Sequence, residues 1–467
     1  MAGMVVKNNM SAINTLNTLN KNHSALAKSL QKVSSGMRIN SAADDASGYA
    51  ISERMRVQIR SLDQDNRNTQ NGNSMMKVAE GAVSSTVEIL KTLKEKVINA
   101  ANDTNTDSDR QQIQKELDQS IDQINDNANV TYNGKYLVDG SHNRKVEVPG
   151  TGADANKKLG TKTHLTNESM LKDTTWGSKL TDLKSRSGDA LNIHDGDMVT
   201  ISVVAEGKTY TTSFQVSTKN NEETKMSTLI AKANSAKCGS AVLTSSANEG
   251  AEITLKTASE TAAIGTGPSN TLVQTADLGS ALTLTTNKDG LKGQISGFTI
   301  CITDKDGNIN KSANAILDNF TESIRAQNHS EDNAIVLQTG TRANQAIKIG
   351  LTDMRAQALG LQGANGNTLN VSTQKNANAA INVLDNAIQK ALDQQTTSGA
   401  IESRLEYTST NLTTASENVT ASESTIRDAD MAKEMTEYTK NNVLLQAAQS
   451  MLAQANQNSS SVLSLLQ

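Results

Sequence analysis

SLQKVSSGMRINSAADDASGYAISERMR, residues Ser29–Arg56, carries the end of one helix, a joint and the start of another. Leu30 and Val33 close a stripe that begins with Ile13, Leu16, Leu19 and Leu26, spaced at the three- and four-residue intervals of an amphipathic helix over Met10–Val33. Ser34, Ser35 and Gly36 end that helix, since glycine tolerates the left-handed backbone that follows a last turn. Ser41–Asp45 then supplies N-cap candidates, and Ile51 and Met55 open a second stripe from about Asp45.

Downstream of this joint the second stripe continues through Ile59, Leu62, Met76, Ala79, Val83, Val87, Leu90, Leu93 and Val97. The polar cluster Asn102–Thr106 breaks it. Ser108 with Gln111 then forms a capping-box pattern for a third helix bearing Ile113, Leu117, Ile121 and Ile124. Asn133-Gly134, flanked by Val130, Tyr132, Tyr136 and Val138, predicts a tight hairpin. After about residue 140 glycine becomes frequent, and Val199, Ile201 and Val203, Ile253 and Leu255, Leu282 and Leu284, and Ile295, Phe298 and Ile300 mark strands. Helical spacing is expected again from about residue 335. From Ile401 the series Leu405, Thr408, Leu412, Ala415, Val419, Ser422 and Ile426 steps by four and three, and the alternation runs on through Met431, Met435, Tyr438, Leu445, Leu452 and Ala455. No charged residue follows Lys440. An uncharged tail still rich in Asn, Gln and Ser is neither a membrane span nor a solvated tail, and is expected to be enclosed by other protein.

The chain of 467 residues exceeds what one core serves, so two or more domains are expected. With aromatics at 2% and only 2 prolines, the composition favours long helices over a thick globular core. A net charge of -4 gives no reason to propose nucleic acid as a partner. Cys238 and Cys301 are too few for a disulfide framework, leaving at most one bridge between them. No apolar run is long enough for a membrane span, and no ordinary signal peptide is present, which leaves a cytoplasmic protein or one exported through another signal. The terminal stripes carry apolar residues on more than one face, as in Leu444 beside Leu445 and Leu465 beside Leu466. A single helix pair would leave some exposed, whereas open head-to-tail packing of copies would cover them in a filament.

Ser29–Arg56 closely resembles the N-terminal signature of bacterial flagellins, and the likeness continues through Asn68 and Ala79-Glu-Gly-Ala82 to the Asn-Gly turn. Ser424-Thr-Ile-Arg-Asp-Ala-Asp430, Leu452-Ala-Gln-Ala-Asn-Gln457 and Ser461-Val-Leu-Ser-Leu-Leu-Gln467 resemble the C-terminal part of that family. The resemblance implies a mainly α fold, with paired N- and C-terminal long helices forming coiled-coil and helical-bundle domains and an inserted β-rich (α+β) outer domain. It divides the chain into a terminal core, 1–45 with 421–467; a helical bundle with hairpin, 46–169 with 334–420; and a variable outer domain, 170–333, of one or two parts. It further implies a homopolymer, export by the flagellar type III apparatus, a chaperone on the C-terminal helix, and contacts with the filament cap and hook-filament junction proteins at an extracellular flagellum. The polymerisation residues are then Ile13, Leu16, Leu26, Leu30, Val33, Leu445, Leu452, Val462, Leu463 and Leu466. A junction protein shares such helices, but the Ser34–Ala46 run and the Leu452–Gln457 ending favour flagellin.

Flagellins seen strongly by Toll-like receptor 5 carry Leu-Gln-Arg-(Val or Met)-Arg-Glu-Leu-Ala-Val-Gln, where this chain reads Leu90-Lys-Thr-Leu-Lys-Glu-Lys-Val-Ile-Asn99. The departures put Thr92 where the planar guanidinium stands and Lys96 where an apolar side chain buries, while Glu95 and Glu116 are retained. Lys91 and Leu93 complete the stretch, and weak receptor activation is expected. Enzyme chemistry finds no support. His23, His142, His164, His194 and His329 make no His-Glu-x-x-His, and Asp304–Asn310 has its glycine two positions early for a calcium loop. No cofactor is implied. Trp176 is expected to anchor a core.

Overall fold

The computed structural model describes residues 9–149, 158–171, 174–218, 223–239, 241–243, 255–258 and 282–465. Its helices are α1 (Met10–Ser35), α2 (Ala46–Ala101), α3 (Asp107–Ala128), α4 (Met226–Asn234), α5 (Lys311–Leu317), α6 (Ala356–Leu359), α7 (Gln374–Arg427) and α8 (Met431–Leu465). The chain forms two compact units, one of Met1–Gln70, Gln338–Ala346 and Glu406–Gln467, the other of Asn71–Leu337 and Ile347–Leu405.

In the first unit the N-terminal joint has the expected form. Gly36 adopts φ 69° and its N–H donates to the Lys32 carbonyl at 2.9 Å, closing α1. Asp45 accepts from the Ser47 and Gly48 amides at 3.1 and 3.0 Å, so its carboxylate caps α2. Ile39, 1% exposed, anchors the loop between them. The alternation read as unbroken from Ile401 to Ala455 is interrupted: α7 stops at Arg427, and Asp430 accepts from the Ala432 and Lys433 amides to start α8. Two aspartates flanking Ala429 compete with helix continuation by offering caps, which a stripe of apolar positions does not reveal.

The second unit has two cores. Along α2, Met76, Ala79, Val83, Leu90, Leu93 and Val97 face Leu117, Ile121 and Ile124 of α3, with Ala380, Leu384 and Ala387 of α7 in the same cluster. Each fully buried leucine or isoleucine contributes about 1.5–3 kcal/mol, so this seam is what holds the long helices together. The break between α2 and α3 lies as expected, but the capping box is made by Thr106 and Asp109 rather than Ser108 and Gln111. Thr106 leads because its extended backbone (ψ 162°) aims the hydroxyl at the Asp109 amide. Asn133 and Gly134, at φ 50° and 75°, turn the hairpin Thr131–Tyr132 to Lys135–Tyr136.

The outer core fills the space around two antiparallel sheets. One orders Ile295–Thr303, Met198–Ala205, Lys208–Gln215, Lys237–Cys238 and Ala241–Val242; the other orders Leu255–Ala258, Leu282–Thr286, His164–Asn167 and Thr321–Ile324. Val199, Ile201 and Val203 are each fully buried, facing Phe298, Ile300 and Ile302 in the same cluster. Ile253 lies outside the described residues. Trp176 is 7% exposed within this core, and its carbonyl accepts from Ser227. Both cysteines are free thiols. Asp304–Asn310 is a turn, with Asp304 and Asn308 joined through the backbone and Asn310 capping α5.

Residues after 335 depart from the expectation of helix. Ile335–Gln338 and Ala346–Ile349 form a two-stranded sheet, and α7 starts only at Gln374. The physical cause is legible afterwards: Ile347, Ile349 and Leu351 are buried and alternate with polar residues at period two, and Gly340 and Gly350 interrupt any helix. Gly72 lies against this segment, and a Cβ there would require the Leu337 side chain to shift.

Candidate assembly interface

α1 and α8 run antiparallel. Asn9 donates to the Ala455 carbonyl at 3.2 Å, Asn22 to that of Leu444 at 3.2 Å, Asn441 to Ser29 Oγ at 2.9 Å, and Lys32 pairs with Glu434 at 3.3 Å. The positions that are fully buried are small: Ser29, Ala448 and Ala455 among the described side chains of these helices, with larger Leu26, Val33, Leu445 and Leu452 half-buried. Small side chains let the backbones approach but remove little apolar surface from water, so the pair leaves most of its apolar stripe uncovered.

Of the residues expected from the sequence to polymerise, Ile13, Leu16 and Leu30 are 46%, 45% and 52% exposed, while Leu26, Val33, Leu445 and Leu452 are half-buried. Val462 and Leu463 lie on α8 with side chains outside the described residues, and Leu466 lies outside them altogether. The exposed set also takes in Met10, Met431, Met435 and Leu444, which the sequence places on the apolar faces of these helices, together with Val443 and Met451. The α8 members follow from a helix apolar on several sides, as the adjacent pair Leu444 and Leu445 indicates.

On α2, Leu90 and Leu93 are buried in the helical core, whereas Lys91, Thr92 and Glu95 face solvent. The Thr92 hydroxyl donates to the Glu88 carbonyl at 3.0 Å, so it is folded back on its own helix. Lys96 Nζ lies 3.0 Å from a carboxylate oxygen of Glu116 on α3. Thr92, Glu95 and Lys96 therefore share one face of α2, and Lys96 pairs with Glu116 of α3.

One further group does not show in the apolar spacing. The turn after α1 and the break before α8 lie side by side, bridged at Met37 and Asp428. Arg427 is buried there, its Nη1 2.7 Å from Glu53 Oε1 and its guanidinium carbon 5.5 Å from the centre of the Tyr49 ring. The hydrogen bond from Arg427 holds the Glu53 carboxyl below the usual carboxylate range. A charged residue at the end of an apolar stripe, next to Asp428 and Asp430, was the available signal.

No group of three or more His, Cys, Asp or Glu side chains among the described residues is placed to hold a metal ion, and no helix among them is long and apolar enough to cross a membrane. Comparison with known proteins matches residues 6–143 to the bacterial flagellin N-terminal helical region and 381–466 to the bacterial flagellin C-terminal helical region. The chain is 34% identical over 459 residues to a flagellin of Clostridium tyrobutyricum, covering 97% of this chain and 99% of the relative. It is 30% identical over 483 residues to a flagellin of Bacillus subtilis, covering 99% and 100%. Among solved structures it is similar to FliC from Burkholderia pseudomallei, at 18% identity and a TM-score of 0.25, over 71% of this chain and 99% of that one. With both helical regions matched in order and relatives similar from end to end, the chain belongs to the bacterial flagellin family of structural filament proteins, which are not enzymes.

Proposed function

We propose that this chain polymerises through its N- and C-terminal helices into a hollow helical filament that serves as a propeller. The observation that carries the reading is the distribution of exposed apolar side chains. Of eighteen large hydrophobics exposed among the described residues, nine sit on α1 and α8: Met10, Ile13, Leu16, Leu30, Met431, Met435, Val443, Leu444 and Met451. A monomer gains nothing from such a surface, and neighbouring copies cover it in an open array. Residues 1–45 with 421–467 form the assembly core, 46–169 with 334–420 the next shell, and 170–333 the outward domain. Export through the flagellar type III apparatus, with a chaperone shielding α8 until the subunit joins the filament beyond the hook-filament junction proteins and beneath the cap, accounts for the uncharged stretch of α8 after Lys440 in a secreted subunit. Removing residues 441–467 is expected to abolish sedimentable filament seen by electron microscopy. Filaments of normal length from the truncated chain would refute the reading.

Toll-like receptor 5 is activated weakly. Thr92 supplies no guanidinium, and Lys96 occupies Glu116. Monomer of Thr92→Arg/Lys96→Leu is expected to signal more strongly than the unaltered chain, and equal strong signalling by both would sink the idea.

A further inference from the structure

We propose that Arg427 is the positioning residue of assembly, the group that fixes the direction in which the α1–α8 pair leaves the helices α2 and α7. The inference deepens the filament reading and rests on it. The α1–α8 seam fully buries Ser29, Ala448 and Ala455 and half-buries Leu26, Val33, Leu445 and Leu452, a modest apolar contact that constrains its own angle weakly. The direction is set where both chains turn. There the Arg38 N–H donates to the Arg427 carbonyl at 2.7 Å, the Ala429 N–H to that of Gly36 at 2.9 Å, and Arg38 Nη2 to that of Ile426 at 2.5 Å. These bonds stitch the loop after α1 to the end of α7.

Arg427 then ties the stitch to α2. Its side chain is 8% exposed and meets Glu53 and Tyr49, both in the first turns of α2, by an ion pair and by the face of the ring. Glu53 also receives Arg56 at 3.2 Å, which holds its carboxylate in place. A buried guanidinium has strong geometric demands: planar, with fixed donor directions, it is costly to bury unless its partners meet it. Nη1 is met by Glu53 while the buried Nε has no hydrogen-bond partner, so Arg427 favours the arrangement of α7's last turn on α2's first turns that keeps the Glu53 pair, and the two short joints, residues 36–45 and 428–430, transmit it to α1 and α8. The lever is long. α1 has 26 residues, about 39 Å, so an error of about 10° at the clasp moves its far end by about 7 Å, more than one helical turn. Subunits so displaced cannot meet in register.

The test compares full-length Arg427→Gln, Arg427→Lys and the swap Glu53→Arg/Arg427→Glu with the unaltered chain, reading helical content, polymerisation rate and the filament's twist and rise by cryo-electron microscopy. Arg427→Gln is expected to keep its helical content and polymerise at least about tenfold more slowly, or with altered twist. Arg427→Lys, which keeps the charge without the planar group, should fall between, and the swap should recover part of the rate. If Arg427→Gln unfolds, Tyr49→Leu carries the same comparison with the ion pair intact, and unchanged rate and twist in Tyr49→Leu then overturn the proposal. Arg427→Gln filaments that match the unaltered ones in rate, twist and rise overturn the proposal alone. An unaltered chain that forms no filament overturns the assembly reading and this inference with it.

Discussion

Replacing Glu322 by glutamine probes how the outer sheets are held to α7. Glu322, on the strand Thr321–Ile324, places Oε2 3.0 Å from Lys390 Nζ, and the two side chains are 4% and 6% exposed. Burial pushes the Lys390 amine below its usual range, and the Glu322 carboxylate is what opposes that push. The pair is one of four polar contacts along one side of α7: Asn382 donates to Asp318 at 3.3 Å, Asn386 to the Ser296 carbonyl at 2.9 Å, and Asp393 pairs with Arg325. Removing one partner of a buried pair leaves the other charge uncompensated, so Glu322→Gln is expected to destabilise this unit by about 3–5 kcal/mol. At about 2–3 kcal/mol/M in urea, that is a midpoint lowered by about 1–2.5 M. The loss should also depend on pH in a definite direction. With its amine depressed further in the folded state, native Lys390 binds fewer protons than unfolded Lys390. The variant should therefore gain stability as pH rises toward the unfolded value of 10.5. Urea unfolding followed by Trp176 fluorescence, which reports the outer core, at several pH values between about 6 and 10 reads both effects. A loss below about 1 kcal/mol with no pH dependence would refute the argument that this pair is buried and mutually dependent.

Asp318 makes the opposite pH prediction. Burial pushes its carboxyl up to about 6 from an ordinary value of 3.8, so the folded state binds the extra proton and stability falls as pH rises through that window. Asp318→Asn, which keeps an oxygen to accept from the Ile300 amide and Asn382, should raise stability at pH 7 by ~1–3 kcal/mol in thermal or urea unfolding, and a loss would contradict the burial argument. Glu53 titrates in the other sense. Its carboxyl is held low by Arg427, so the clasp is complete above the ordinary carboxylate range and loosens as pH falls through the depressed value, which exchange of the Arg38 and Ala429 amides against pH would follow. Leu444→Glu and Met451→Glu, on the uncovered side of α8, should leave helical content intact and lengthen the lag of polymerisation, measured by light scattering; filaments forming at the ordinary rate would count against α8 as an assembly surface.

How much of this was legible beforehand follows from how local each signal is. Gly36, the Asn102–Thr106 break and Asn133-Gly134 were readable because one or two residues with special backbone preferences decide each. The strand Met198–Ala205 was readable from period-two burial, but the turn that reverses it was not: Glu206 and Gly207 sit at φ 50° and 73°, and glutamate is no common signal for such a turn. The Ile335–Gln338 and Ala346–Ile349 strands precede the long helix α7 and were absorbed into it, since four residues of alternation cannot outweigh the long periodicity that follows.

The candidate site divides along the same line. Apolar residues of an assembly face announce themselves by spacing, which is why Ile13, Leu16 and Leu30 emerge from the sequence and are exposed in the fold. Arg427 could not emerge that way. Its importance comes from Tyr49 and Glu53, which lie more than 370 positions away in sequence (427 against 53) and reach it only because α7 ends where α2 begins. A filament subunit needs both kinds of residue for different reasons. Apolar faces supply attraction that is nondirectional and would serve many arrangements of copies, whereas one twist and one rise require a group with a demanding geometry at the joint. The long-range polar contact, invisible to periodicity, is thus the one able to choose among the assemblies that the legible apolar stripes permit.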